Sequence, residues 1–364
     1  TSSAFHQYLT SQARAATGRY CYGLQALISW DESDGAALAY TDSYKIYLNA
    51  ANHVTQSFPS RFLRALSLVG MTGHETAHLL FTDFTTRNLY LTNLGNGSFY
   101  PEDPSVELPA YQKNQTEILD ALQEKDKAVS LTLQTCAASL QNILEDIYIE
   151  TRMCAAFPGS FRKGIQLNNL RMLEQIPDLH EQLSRDYQPF TIATNLLLAY
   201  CRSGTISNRY HSDSEYLLTD GMEYIDTALE APSIRERLTA TNCLLILFWD
   251  FIKPLVEEMR EKLEHQDETE ATEELQDLLD QQIAGGTPIP LGKGGGEVKN
   301  IPSAKGGAGT DPQDADFFSS KGRQESLKEA EKVMAEEGGR IALAKTSAIL
   351  DGNDPGVTYA SQYA

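Results

Sequence analysis

Ser60-Arg-Phe-Leu-Arg-Ala-Leu-Ser-Leu-Val-Gly-Met-Thr-Gly-His-Glu-Thr-Ala-His-Leu-Leu-Phe-Thr-Asp83 carries the pattern H-E-x-x-H at His74-Glu75-Thr76-Ala77-His78. Phe62, Leu66, Val69 and Leu80 recur at roughly helical spacing, so the stretch is predicted to be a helix seated in a core. Histidines four residues apart lie one above the other on one helical face, and their imidazoles can converge on one cation. Zinc accepts neutral imidazole, and a catalytic zinc site holds three protein ligands plus a water. Glu75 stands beside the first histidine, where it can take a proton from that water. A lone histidine on an apolar helix is usually a satisfied core residue. Here two of the chain's seven histidines sit four apart with a glutamate between them, which favours a metal site. Gly73, inside the helix, costs about 1 kcal/mol relative to alanine and is compatible with close approach of another backbone.

Outward from this helix, the chain has 364 residues, enough for a large core, with a formal charge of -20 and a pI of about 4.7. That balance argues against a nucleic-acid partner. Five cysteines (Cys21, Cys136, Cys154, Cys201, Cys243) are scattered without C-x-x-C spacing. They fit neither a disulfide framework nor a cysteine zinc site, and point to a reducing cytoplasm. No run of about 18 apolar residues occurs, so no membrane span is expected. The chain begins at Thr1 without a methionine or signal-peptide pattern and reads as a fragment of something longer.

Upstream of the H-E-x-x-H helix, residues 4–17 have helical composition. Leu24–Trp30, Ala36–Tyr40 and Tyr44–Leu48 read as short strands separated by turn residues. Together they predict a small sheet covering the helix, and an edge strand beside a metal cleft can pair with an extended peptide. Downstream, residues 84–113 read as loop-rich, with Asn93, Gly95, Asn96, Gly97 and several prolines, a candidate cleft wall.

Helices are expected at Gln115–Lys127 and Ser130–Ala156. The second contains Asn142-Ile-Leu-Glu145-Asp146-Ile-Tyr-Ile-Glu150-Thr-Arg152. Its apolar stripe (Leu133, Cys136, Leu140, Ile143, Leu144, Ile147) implies burial, and buried carboxylates need partners. A zinc ion is one partner; the second ring nitrogen of a zinc-bound histidine is another. Asp146 and Glu150 share a face, while Glu145 points about 100° away from Asp146. A solvated acidic edge, or a salt bridge to Arg152, is the plainer reading. Beside the upstream histidines, one carboxylate as third ligand and another orienting a histidine is preferred.

Further helices are expected at Leu167–Glu174, Leu179–Ser184, Pro189–Cys201, Ser214–Ala228 and Ser233–Leu263, the last kinked or restarted at Pro254. His180, His211 and His265 lack ligand-like companions. Residues 257–280 suggest an exposed acidic helix, and 285–316 a Gly/Pro-rich linker. Gly292-Lys-Gly-Gly-Gly296 lacks the G-x-x-x-x-G-K-[ST] pattern of a phosphate loop. One more helix is expected at Gln324–Ala344, followed by a lead-in to an absent domain at Gly352–Ala364.

His-Glu-Thr-Ala-His, the acidic segment 142–150 and Tyr40-Thr-Asp-Ser-Tyr-Lys-Ile-Tyr-Leu-Asn49 together resemble a known family. It is the zincin-like, metallopeptidase-like N-terminal region of bacterial proteins that carry a C-terminal von Willebrand factor A domain. Relatives are described by likeness to the von Willebrand-type subunit of cobalt chelatase. The resemblance covers roughly residues 20–160. It implies a zincin-like site and singles out Glu145 as third ligand, a gluzincin-like arrangement. No D-x-S-x-S metal-adhesion motif is present, since Asp31-Glu-Ser-Asp-Gly35 does not fit, so the von Willebrand domain is not part of this chain.

The combined expectation is an α+β, mainly α-helical protein. A zincin-like core occupies residues 1–160, a helical subdomain 161–265, an acidic then Gly/Pro-rich linker 266–320, and a short helix with its lead-in 321–364. The expected function is zinc-dependent peptide hydrolysis. His74, His78 and Glu145 bind Zn2+, Glu75 activates water, and Asp146 or Glu150 orients a histidine. The alternative is a non-catalytic zinc-binding module acting with a von Willebrand A domain and an AAA-type ATPase.

Overall fold

Three short strands form: β1 (Gln25–Ser29) within the expected Leu24–Trp30, β2 (Ala39–Thr41) shifted toward the end of the expected Ala36–Tyr40, and β3 (Lys45–Asn49) one residue beyond the expected Tyr44–Leu48. The structure, a computed structural model, describes residues 3–18, 23–33, 36–42, 44–205, 213–283 and 317–350. The sheet order is β1-β3-β2, with β1 parallel and β2 antiparallel to β3. Ala26, Ala39, Ile46 and Leu48 are buried, and β2 and β3 lie against α3 (Arg61–Phe81), the H-E-x-x-H helix. Helix α1 (Ser3–Thr17) runs along β1 and buries Leu9, Ala13 and Thr17, four residues apart. Two of its side chains occupy the free edge of β1. Thr10 Oγ1 accepts from the Ala26 N–H at 3.0 Å, and Arg14 Nε donates to the Leu24 carbonyl at 2.6 Å. The short α2 (His53–Gln56) then leads into α3.

The remaining described elements are helical, which makes the chain α+β and mainly α-helical. They are α4 (Phe84–Gly95), α5 (Gln112–Gln123), α6 (Lys127–Ala156), α7 (Ser160–Gln175), α8 (Leu179–Ser184), α9 (Pro189–Ser203), α10 (Asp213–Glu230), α11 (Ile234–Leu247), α12 (Trp249–Leu263), α13 (Glu268–Gln282) and α14 (Ser320–Leu350). No single helix among the described residues is long and apolar enough to cross a membrane. Helices α11 and α12 would qualify only as a pair, and they are bent by 81°.

Two expectations are corrected. The first turn of the stretch read as loop-rich, 84–113, opens helix α4. Asp83 caps it by accepting from Thr86 N–H at 3.0 Å, and Arg87, Tyr90, Leu91 and Leu94 are buried at helical spacing. The long helix expected over Ser233–Leu263 breaks at Phe248, not at Pro254. The restart upstream places Pro254 in the second turn of α12, where the bond it forgoes is near a helix start.

The chain forms two compact units that interleave along the sequence and do not follow one another as consecutive blocks. One contains the described residues of Thr1–Phe81, Glu150–Glu174 and Gln324–Ala364; the other, those of Thr82–Ile149 and Gln175–Arg323. In the first, α7 crosses α3 backbone to backbone. A Cβ built on Gly70 would lie 2.2 Å from the carbonyl carbon of Gly164, and one on Gly164 2.4 Å from Gly70 N. A Cβ on Gly73, the glycine noted in the sequence, would first meet the Phe161 side chain, at 3.0 Å, and not a backbone. Asn168 Nδ2 adds a bond to the Ser67 carbonyl at 3.0 Å, and α14 grips α7 through Glu329, which accepts from Arg162 and Gln166 at 2.8 Å.

The second unit is built around α6, which is buried on every face along most of its length. Some of its buried polar groups bond to one another: Thr241 Oγ1 donates to Gln141 Oε1 at 3.0 Å, and Tyr90 O–H to Asn242 Oδ1 at 2.9 Å. Helix α13 buries Ala271, Leu275 and Leu279 on one face, so the acidic segment is only partly exposed. The expected linker at 284–316 with its Gly292–Gly296 run, the segment Gly352–Ala364, the turn at 34–35, Cys21 and His211 lie outside the described residues.

Candidate metal centre

Helix α3 reaches the site through a buried run from Leu66 to Leu79 in which polar residues satisfy themselves locally. Thr72 and Thr76 return their hydroxyls to the carbonyls of Leu68 and Thr72, at 2.8 and 2.6 Å. With that face closed, His74 and His78 project together as their spacing predicts. Their Nε2 atoms are 3.2 Å apart, and the rings meet nearly at right angles, 84°. On the far side of the first ring, His74 Nδ1 lies 2.8 Å from Glu150 Oε1. The other carboxylate oxygen, Oε2, accepts from Asn169 Nδ2 at 2.8 Å.

Glu150 accepts only, so it selects the tautomer with the proton on His74 Nδ1 and leaves the Nε2 lone pair directed at His78. Two imidazole nitrogens this close are joined either by a hydrogen bond, with His78 Nε2–H donating to His74 Nε2, or by a cation between them. Asp146, one turn before Glu150 on the continuous helix α6, supplies a third donor. Ligand atoms of His74, His78 and Asp146 all lie within 4.8 Å of one another. This group could hold a metal ion: two imidazoles, one carboxylate and an outer carboxylate on a ring N–H form a donor set that suits a divalent transition metal. All of it is sheltered, with His78 5 % and Asp146 3 % exposed. Glu75, adjacent to His74 and three residues before His78, is 3 % exposed.

The structure differs from the expectation at Glu145. That side chain is fully buried, and its Oε2 lies 2.8 Å from Arg237 Nε, turned to a face of α6 other than the one Asp146 and Glu150 share. Arg237 also donates from Nη1 to the carbonyls of Ala231 and Ser233, at 3.3 and 3.2 Å. Its guanidinium carbon stands 3.6 Å over the Tyr148 ring, whose hydroxyl donates to the Pro232 carbonyl. Glu145 is thus committed to a cation of the protein, and the group that could hold a metal ion contains Asp146 and not Glu145. A second buried arginine, Arg87, donates to Asn142 Oδ1 at 2.5 Å. Burial pulls its guanidinium down to about 10, against the opposing charges of Glu145 and Asp146.

The other described histidines stay apart from this group. Burial lowers the imidazole of His53, and His180 and His265 belong to no cluster of potential ligands among the described residues. Arg152, offered in the sequence as a salt-bridge partner for the acidic run, instead lies 5.7 Å over the Phe81 ring. Sequence reasoning passed over Asn169, Arg87 and Arg237, which have no motif of their own. Buried carboxylates imply cationic or donor partners, yet nothing in the sequence says which of the chain's many arginines and amides supply them. No protein-family model, no curated protein and no solved structure matches the chain.

Proposed function

We propose that this chain is a zinc-dependent peptide hydrolase in which His74, His78 and Asp146 hold the ion and Glu75 is the general base. The observation that carries the proposal is the facing pair of Nε2 atoms 3.2 Å apart with Glu150 fixed on the opposite nitrogen of His74. A divalent ion in that position would supply Lewis acidity, polarising a carbonyl oxygen and lowering the pKa of water. Glu75 accepts a proton from the attacking water and returns it to the departing amine nitrogen. His74 and His78 offer neutral Nε2 atoms, and Glu150 holds His74 in the tautomer that permits this. The low exposure of the group keeps bulk water from competing with these hydrogen bonds. The likeness of segments 40–49, 74–78 and 142–150 to metallopeptidase-like regions is in keeping with this reading. Four buried free thiols, Cys136, Cys154, Cys201 and Cys243, fit a reducing cytoplasm.

A second reading has a specific observation in its favour. Glu75, His78 and Asp146 are each 5 % exposed or less, which leaves little room for a polypeptide backbone. Such burial suits a structural ion in an interaction module that works with a von Willebrand A domain and an AAA-type ATPase. Metal analysis and cleavage of unfolded protein, on wild type, His78→Ala and Glu75→Gln, separate the two. The hydrolase is expected to hold about one zinc per chain and to lose it in His78→Ala. Glu75→Gln is expected to keep metal and fold while cleavage falls about 10²–10⁴-fold. Full zinc content in His78→Ala ends the metal reading. Cleavage by Glu75→Gln at the wild-type rate ends the role of Glu75, and zinc with no cleavage by wild type leaves the module.

A further inference from the structure

Asn168 and Asn169 are consecutive on α7 and, about 100° apart around it, reach the two helices that supply the candidate site. Asn168 is buried and donates to the Ser67 carbonyl of α3 at 3.0 Å; Asn169 donates to Glu150 Oε2 of α6 at 2.8 Å. Helix α7 is itself held from two sides. Gly164 touches the backbone of α3 at Gly70, and Arg162 and Gln166 both donate to Glu329 of α14. An amide at position 169 therefore sits on a scaffold with little freedom to shift.

We infer that Asn169 is a positioning residue for the metal centre, acting through Glu150 to fix the tautomer and direction of His74. The inference rests on the metal-site reading above. A carboxylate has two oxygens and rotates easily about its last bond. One oxygen on His74 Nδ1 and the other on Asn169 Nδ2, both at 2.8 Å, fix that rotation. Asparagine suits the place because its amide donates without charge. Aspartate there would set a second carboxylate against Glu150, and leucine, of the same shape, would donate nothing. With the Asn169 bond gone, one constraint on that rotation is lost, and the Nε2–H tautomer of His74 becomes more populated, closing the lone pair that faces His78.

The test uses the whole chain, zinc alone as the ligand and a competing chelator to read affinity. Asn169→Leu is expected to weaken zinc binding about tenfold and Asn169→Asp further, within the roughly 10–100-fold range of outer-sphere partners. Melting of the metal-free protein reports any general damage to the fold. In a Glu150→Ala background, Asn169→Leu is expected to change nothing more, because its route to the metal is gone. The imidazole 15N shifts of metal-free chain add a readout that a purely structural role would not move. His74 is expected in the Nδ1–H form in wild type and as a mixture in Asn169→Leu. Equal losses with and without Glu150, or zinc affinity and tautomer both unchanged in Asn169→Leu and Asn169→Asp, overturn the inference. If wild type binds no zinc, the metal reading falls, and the tautomer comparison alone decides the role of Asn169.

Discussion

Glu145 and Glu150 lie on the same helix, are 0 % and 4 % exposed, and each places an oxygen 2.8 Å from a nitrogen base. Their surroundings lead to different chemistry. Glu145 faces arginine, which is always charged, reaches two carbonyls from Nη1 and stacks on an aromatic ring. The pair holds its charge in place: Arg237 has no second nitrogen whose binding state Glu145 could change, although the carboxylate's charge is also felt by Arg87. Glu150 faces histidine, whose second nitrogen remains to act on something else. Charging or fixing one side of the ring changes what the other side can bind. Burial and distance are nearly the same in both places; the spare valence of the partner makes one carboxylate a strut and the other a lever.

The comparison breaks most sharply if the closed pair is opened. Arg237→Ala leaves Glu145 buried without its cation, and unfolding by denaturant is expected to show a loss of about 3–5 kcal/mol. A loss below about 1 kcal/mol would mean that Glu145 is compensated elsewhere. Next in size is the effect on the ion. Asp146→Ala is expected to lower zinc affinity by more than the roughly 100-fold typical of an outer partner, whereas Glu145→Gln leaves affinity within a few-fold of wild type. Chelator competition measures both, and the opposite order would return Glu145 to the ligand set. The smallest effect belongs to a half-exposed carboxylate. Glu117 is held down at about 2 by Lys253 and then by the Trp249 indole N–H, against an ordinary value of 4.5. Because its folded value is the lower one, it stabilises the fold above about pH 4.5, and that contribution fades as pH falls toward 2. Wild type and Glu117→Gln are therefore expected to differ most near neutrality and to converge in acid. Screening at this exposed position keeps the difference at about 1 kcal/mol or less.

Local chemistry made much of this molecule legible. The strand at 25–29 is marked by the turn residues beyond it and that at 45–49 by alternation, and the juxtaposition of His74 with His78 follows from the helical period. The same period groups Asp146 with Glu150; it was the family resemblance that singled out Glu145. That Glu145 is taken by Arg237, ninety-two residues away, is a tertiary contact that no local pattern reports. Helix α4 was obscured by Asn93, Gly95 and Gly97, which mark its end, while its start was written in Asp83 and in the spacing of Arg87, Tyr90, Leu91 and Leu94. Gly73 drew attention because it lies inside the motif, yet Gly70 is the residue in backbone contact, because only its face meets Gly164. A glycine's purpose depends on its neighbour across the interface, and that neighbour is a tertiary fact.

Thr10 and Arg14 close the outward hydrogen-bonding groups at Leu24 and Ala26. A sheet of three strands presents a template that another extended chain can copy onto its border. Here that border is occupied by side chains from the helix that precedes it, so α1 works as a stopper made before the strand it guards. During synthesis the stopper emerges first, and it can take these two groups as soon as the strand folds against it. Loss of the opening seventeen residues would remove a solubility device as well as a piece of the core, and would leave β1 open to pairing with its own copies.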